Sequence, residues 1–202
     1  MQNMNKTKKV LTGDRKTQII ESAIKVFIEK GYEKSSLREI VALVGITKPT
    51  LYHYFDSKHD LLYKILHDAL TIFIDDLVEI LKQPVSSNEK VRLMLQSLFN
   101  AQSSNNSGLA VLLHESKAPL PSDLQDEIKK MHRKFISLTE NLFIEGIENK
   151  EFRSDLDPKI IAWAFLGMIN WTHNWASSDG RLGFDEISEM FATIFINGVQ
   201  HP

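Results

Sequence analysis

The chain has no cysteine, which removes disulfides, thiolate metal sites and a cysteine nucleophile together. Glycine and proline are scarce, 9 and 6 in 202 residues, while 43% of the chain is hydrophobic and 25% charged. That is material for one ordinary domain, or a small one plus a larger one, with a substantial core. No run of 18 residues is apolar and free of charge, and the first residues, MQNMNKTKKVLTGDRK, are polar and basic with no apolar segment behind them. A protein that is soluble and cytoplasmic, with no membrane partner, is the expectation.

Catalytic signatures are missing too. There is no G-x-S-x-G, no phosphate-binding glycine run and no G-x-G-x-x-G. His114-Glu115 begins like H-E-x-x-H, but Ala118 stands where the second ligand belongs. The 7 histidines lack metal spacing. Neither an enzyme, a metal site nor a cofactor is expected. Net charge is only −2, yet it is unevenly spread. Residues 1–60 hold 11 Lys or Arg against 7 Asp or Glu, and the remainder holds 13 against 19. A positive module on an acidic body suits attraction of phosphate at one end.

What is present is helix punctuation. Ser36 and Glu39 have capping-box spacing, Leu37, Ile40, Val41 and Val44 make one apolar stripe, and Gly45 ends it. Thr47 caps a second short helix with Pro49 in its first turn and Leu51 and Phe55 facing inward. Lys48, Thr50, Tyr52, His53 and Tyr54 crowd its remaining surface. Two helices around a glycine turn is the helix-turn-helix plan, whose second helix lies in the DNA major groove. The alternative is a helical hairpin used for protein contact, as in an adaptor without catalysis.

Upstream, Ile19, Ile20, Ala23, Ile24, Phe27 and Ile28 form a bracing stripe ending at Lys30-Gly31, with Tyr32 closing a three-helix core. Met1–Gly13 reads as a tail whose Lys6, Lys8 and Lys9 can approach phosphate. Downstream, Ser57 and Asp60 open a long helix to about Lys82, stopped by Pro84, with Leu61, Leu62, Ile65, Leu66, Ala69, Ile72, Phe73, Leu77 and Ile80 apolar. It makes a rod of roughly 37 Å, able to join two domains mechanically. Ser86 and Glu89 start the next helix, which ends in SSNNSG; Leu109–His114 is a short apolar helix, and Ser122 caps a long one to about Asn149. Asp157-Pro158 begins a helix apolar nearly all round, to about residue 177, and a last stripe of Ile187, Met190, Phe191, Ile194 and Phe195 lies within 184–199.

The run GYEKSSLREIVALVGITKPTLYHYFDSKHDLL closely resembles the DNA-binding domain of TetR/AcrR-family transcriptional regulators, without a gap. The resemblance implies an all-α homodimer of about nine helices. A three-helix helix-turn-helix domain at 14–60 would be joined by the long helix to a ligand-binding and dimerisation domain at 61–202. It further implies a regulator, usually a repressor, released from a palindromic double-stranded DNA operator by a small hydrophobic or amphiphilic effector. The family's pattern makes Tyr52, Tyr54 and Lys58 phosphate anchors. It brings Lys48, Pro49, Thr50 and His53 closer to the bases, with Thr47, Ser36 and Arg38 adding contacts.

The phrase LGMINWTHNWASSDGRLGFDEI is similar to a branch whose members often sense acyl-CoA thioesters, although Ser178 and Gly183 depart from its proline and capping serine. On that reading an effector such as acyl-CoA enters a pocket formed from Phe73, Met94, Leu98, Phe99, Leu113, Met131, Phe135, Trp171 and Trp175, with His114, Asn170 and His173 orienting its head. Trp163, Phe165, Ile187, Met190, Phe191, Ile194 and Phe195 would form the dimer seam.

Overall fold

The computed structural model describes residues 14–103, 120–172, 174–176 and 180–200. Among them are eight helices and no strand: α1 (Arg15–Lys30), α2 (Leu37–Val44), α3 (Lys48–Tyr52), α4 (Lys58–Lys82), α5 (Ser87–Ser103), α6 (Ser122–Glu148), α7 (Pro158–Thr172) and α8 (Phe184–Val199). The expected helix at Leu109–His114, the tail with Lys6, Lys8 and Lys9, and the departure at Ser178 lie outside the described residues. No helix among those described is long and apolar enough to cross a membrane.

Side-chain caps set most helix starts. The Asp14 carboxylate accepts from Thr17 N–H at 2.8 Å, Ser57 Oγ from Asp60 N–H at 3.0 Å, and Asp157 from Lys159 and Ile160 N–H at 2.9 and 3.1 Å. Each satisfies amides that a helix start leaves unpaired. Ser122 is not a cap: Pro121 occupies that position, and no side chain bonds the first turn of α6. The helix from Pro158 closes at Thr172 rather than near 177.

Two apolar clusters organise the chain. In the first, α1, α2 and α3 bury Ile19, Ala23, Phe27, Tyr32, Ile40, Val41, Leu51 and Phe55 together with Leu61, Leu62, Ile65 and Leu66 from the first turns of α4. The second contains Ala69, Phe73, Leu77 and Ile80 of the same helix with α5 through α8. Packing therefore changes partner inside α4, after Leu66. Ile28 and Ile72, assigned above to inward stripes, are exposed, since each lies at the edge of a face already filled by its neighbours.

Aromatic rings dominate the second core. Phe143 meets Phe165 at 5.7 Å, Phe195 at 5.6 Å and Phe152 at 5.8 Å between centroids, and Phe165 meets Phe195 at 5.0 Å. These spacings suit edge-to-face and tilted pairs. After α6 the chain turns through Lys150 at φ 62°, and Phe152 N–H donates to Gly146 O at 3.0 Å while Arg153 N–H reaches Val199 O at 2.8 Å. That short strap seats the Phe152 ring directly over Gly146. Nearby, the Lys90 ammonium, its side chain only 4% exposed, is neutralised by Glu145 at 2.6 Å.

Candidate nucleic-acid interface and effector cleft

The capping box at the start of α2 is complete. Ser36 N–H donates to the Glu39 carboxylate at 2.9 Å and Glu39 N–H returns to Ser36 Oγ at 3.4 Å. Lys30 at the end of α1 also pairs with Glu39. Its ammonium, with the Ser36 bonds, holds that carboxyl below the usual range. Gly45, at φ 74° and ψ 38°, terminates α2 in a left-handed conformation costly for residues with a Cβ. Thr47 then caps α3, and the Thr47 and Thr50 hydroxyls lie 2.9 Å apart.

Leu51 and Phe55 are buried, which pins α3 to the first core and fixes what it shows outward. Arg38, Thr47, Lys48, Pro49, Thr50, Tyr52, His53 and Tyr54 are all exposed, as is Ser36. His53 and Tyr54 pack edge to face at 5.4 Å. Cations, hydroxyls and phenols can bond phosphate oxygens or base edges, and the threonine methyl can touch a thymine methyl. The Ser36 hydroxyl is engaged with Glu39, so its oxygen serves the helix first.

Lys58 differs from the others. It is half-buried, and its ammonium turns inward to the carbonyls of Tyr32, Ser35 and Glu33. A contact between residues more than twenty positions apart leaves no local pattern in the sequence.

Phe73, Met94, Leu98 and Phe135 come together around a shallow cleft between α4, α5 and α6 that encloses about 10 Å³ and is open on one side. Leu77, Ile80, Asp76 and Ser97 complete its lining, and Ser97 Oγ donates to Asp76 at 2.7 Å. These four were not singled out for the pocket from sequence. Leu77 and Ile80 read only as core, and polar positions beside an apolar stripe look like solvated surface. Small-molecule sites run to roughly 300–1,000 Å³, so the cleft as it stands encloses room for about one water and not for a ligand.

The other pocket candidates among the described residues lie elsewhere. Phe99 packs on Phe191 and Phe184, and Met131 sits against the second core without lining the cleft. Asn170, Trp171 and Trp175 are exposed, and Trp175 approaches only Phe191 at 6.3 Å among the described rings. Leu113, His114 and His173 lie outside the described residues. Among the described residues no group of three or more His, Asp or Glu is gathered as a metal site would need.

The proposed seam divides in two. Phe165, Ile187 and Phe195 belong to the chain's own core and present nothing to a partner. Trp163, Met190 and Ile194 are exposed, and Ile160 and Trp171 join them, the last at 67%. Ile160, Trp163, Gly167 and Trp171 follow helical spacing on α7, as do Met190, Ile194 and Gly198 on α8. Periodicity marked both helices as apolar; it did not separate a face turned to Phe143 from one turned away.

Comparison with known proteins gives the family and the fold. Residues 19–65 match the model described as bacterial regulatory proteins, tetR family, and residues 84–199 match the one described as tetracyclin repressor-like, C-terminal domain. The chain is 23% identical over 185 residues to the fatty acid metabolism regulator protein of Bacillus subtilis (strain 168), covering 91% of this chain and 95% of that one. It is 26% identical over 193 residues to the HTH-type transcriptional repressor KstR2 of Rhodococcus jostii (strain RHA1), with 93% and 92% covered. Among solved structures it is similar to AibR in complex with isovaleryl coenzyme A and operator DNA, at 26% identity and a TM-score of 0.79, covering 94% of this chain and all of that one.

Proposed function

Because the chain belongs to the TetR family of transcription regulators, a class of DNA-binding proteins rather than enzymes, we propose that it is a repressor released from a palindromic operator by an acyl-CoA or similarly amphiphilic effector. The observation that carries this reading is the double role of α4. Its first turns, Leu61–Leu66, complete the core that seats α3, and its later turns, Phe73, Leu77 and Ile80, wall the cleft. A chain wedged into a cleft already too small for it must move a wall, and the wall nearest the reading head is the helix that supports it.

The division of labour is a reading head at 14–60, extended by the first two turns of α4, and an effector and dimerisation unit in the remainder. In this account Lys48, Pro49, Thr50 and His53 meet the bases, with Thr47 and Arg38 beside them, while Tyr52 and Tyr54 hold phosphates. The exposed apolar face of α7 and α8 pairs with its two-fold mate. Symmetric heads then read half-sites a helical turn, about 34–36 Å, or a longer permitted span apart. The names of the relatives, a fatty acid metabolism regulator and a protein solved with isovaleryl coenzyme A, support the effector class. Reversing occupancy from 99:1 to 1:99 takes about 5.5 kcal/mol of differential affinity between the two states.

The reading surface is testable through Lys48, which is exposed with no hydrogen bond or ion pair to any described residue. Lys48→Ala is expected to lower the slope of log K against log salt by about one unit and to alter base preference. A salt titration on a duplex selected by the wild-type protein measures both. Wild-type slope together with wild-type preference would remove Lys48 from the interface.

A further inference from the structure

Lys58 stands in the first turn of α4, next in sequence to the reading helix, where a cation invites assignment to phosphate. Its surroundings point elsewhere. The ammonium donates to Ser35 O at 2.6 Å and to Tyr32 O, lies 3.5 Å from Glu33 O, and sits 4.2 Å from the centroid of the Tyr32 ring. A lysine has three N–H donors and no acceptor. Two close carbonyls, a third at the limit of hydrogen bonding and an aromatic face therefore surround it.

The carbonyls belong to the loop between α1 and α2, which is built around Tyr32. Ser35 Oγ and Ser35 N–H both donate to Tyr32 O, at 2.5 and 3.2 Å. The Tyr32 ring packs edge-on against Phe27 at 5.4 Å and tilts against His59 at 5.9 Å. Ser36, the cap of α2, follows immediately. One ammonium thus joins the start of α4 to the loop that sets where α2 begins, and α2 braces α3 through the Gly45 turn.

We propose that Lys58 is a positioning residue of the reading head, bolting α4 to the α1–α2 loop, and not a phosphate anchor. The proposal rests on the DNA-binding reading above. A tetrahedral ammonium can converge on three carbonyls around one point, whereas a planar guanidinium directs its donors in a fork. Charge alone does not replace it.

The test compares wild type, Lys58→Met and Lys58→Arg on two duplexes of equal length, one selected by the wild-type protein from a randomised library and one of random sequence. Both variants are expected to lose about tenfold or more in affinity for the selected duplex, comparable to spoiling a base contact. Binding to the random duplex and the salt slope should stay at wild-type values. If Lys58→Met weakens both duplexes alike and flattens the slope by about 0.9, while Lys58→Arg restores both, the lysine is a phosphate anchor and the proposal fails. It also fails if only the active fraction falls at unchanged Kd, which would make the bolt a matter of stability. A wild-type protein that selects no sequence strikes the DNA-binding reading itself and is seen before either variant is made.

Discussion

Ile194→Glu is expected to convert a dimer into a monomer and to abolish high-affinity binding to a palindromic duplex. Ile194 is 66% exposed in the single chain, in line with Met190 on α8, and α7 carries exposed apolar groups of its own at Ile160, Trp163 and Trp171. Large apolar groups grouped on one face mark an interaction surface, and self-complementary pairing about a two-fold axis is the commonest way to cover one. A carboxylate there would be buried without a partner at two symmetric positions. A cost of about 4 kcal/mol corresponds to roughly a thousandfold in the dimer constant. Ile194 is the cleaner site than Phe191, whose ring lies 5.5 Å from Phe99, so that Phe191→Glu would damage the core as well. Light scattering at micromolar concentration reads the result. A wild-type monomer, or a variant that remains dimeric, would exclude this seam.

Gly146→Ala should destabilise the fold by about 3 kcal/mol or more, against the usual sign. In an open helical position the same change gains roughly 1 kcal/mol. Here a Cβ would fall inside the van der Waals envelope of the Phe152 ring, which is fully buried and packed on Phe143. The ring cannot yield locally, because its backbone is held at Gly146 O and the next amide at Val199 O. It must leave its site, much as if the phenylalanine had been truncated. Urea denaturation of Gly146→Ala, Phe152→Ala and the double variant checks the mechanism. Once the ring is gone the added methyl has room, so the double variant should be no less stable than Phe152→Ala alone. Additive losses would mean that the two residues do not compete for one space.

Much of this architecture was legible in the chain. Asp14, Ser36, Thr47, Ser57 and Asp157 act on amides two or three positions ahead, so spacing alone locates the helix starts. Burial of Leu51 and Phe55 follows from period, and it fixes the outward set on α3 by elimination. Contacts between distant segments were not legible. The inward turn of Lys58 depends on a loop that precedes it by more than twenty residues, and the seat of Phe152 depends on a glycine across a tight strap. In α7, apolar nearly all round, Phe165 and Trp163 carry the same signal although one is fully buried and the other faces outward. Only packing against α6 and α8 assigns the two faces. The exposed tryptophans also change how an effector should be detected, since Trp163 and Trp171 line no part of the cleft and, on the proposed seam, their fluorescence would report dimerisation first.

Release of DNA is therefore best followed on the DNA. A fluorescent duplex selected by the wild-type protein, held at saturation and titrated with acyl-CoAs from isovaleryl to stearoyl, places the reading surface and the cleft in one experiment. Anisotropy is expected to fall to the free-duplex value for acyl chains that fit the opened cleft, over the same concentrations at which those acyl-CoAs bind the protein alone. Anisotropy that stays at the bound value at every chain length, with the duplex still specifically held, would contradict acyl-CoA release.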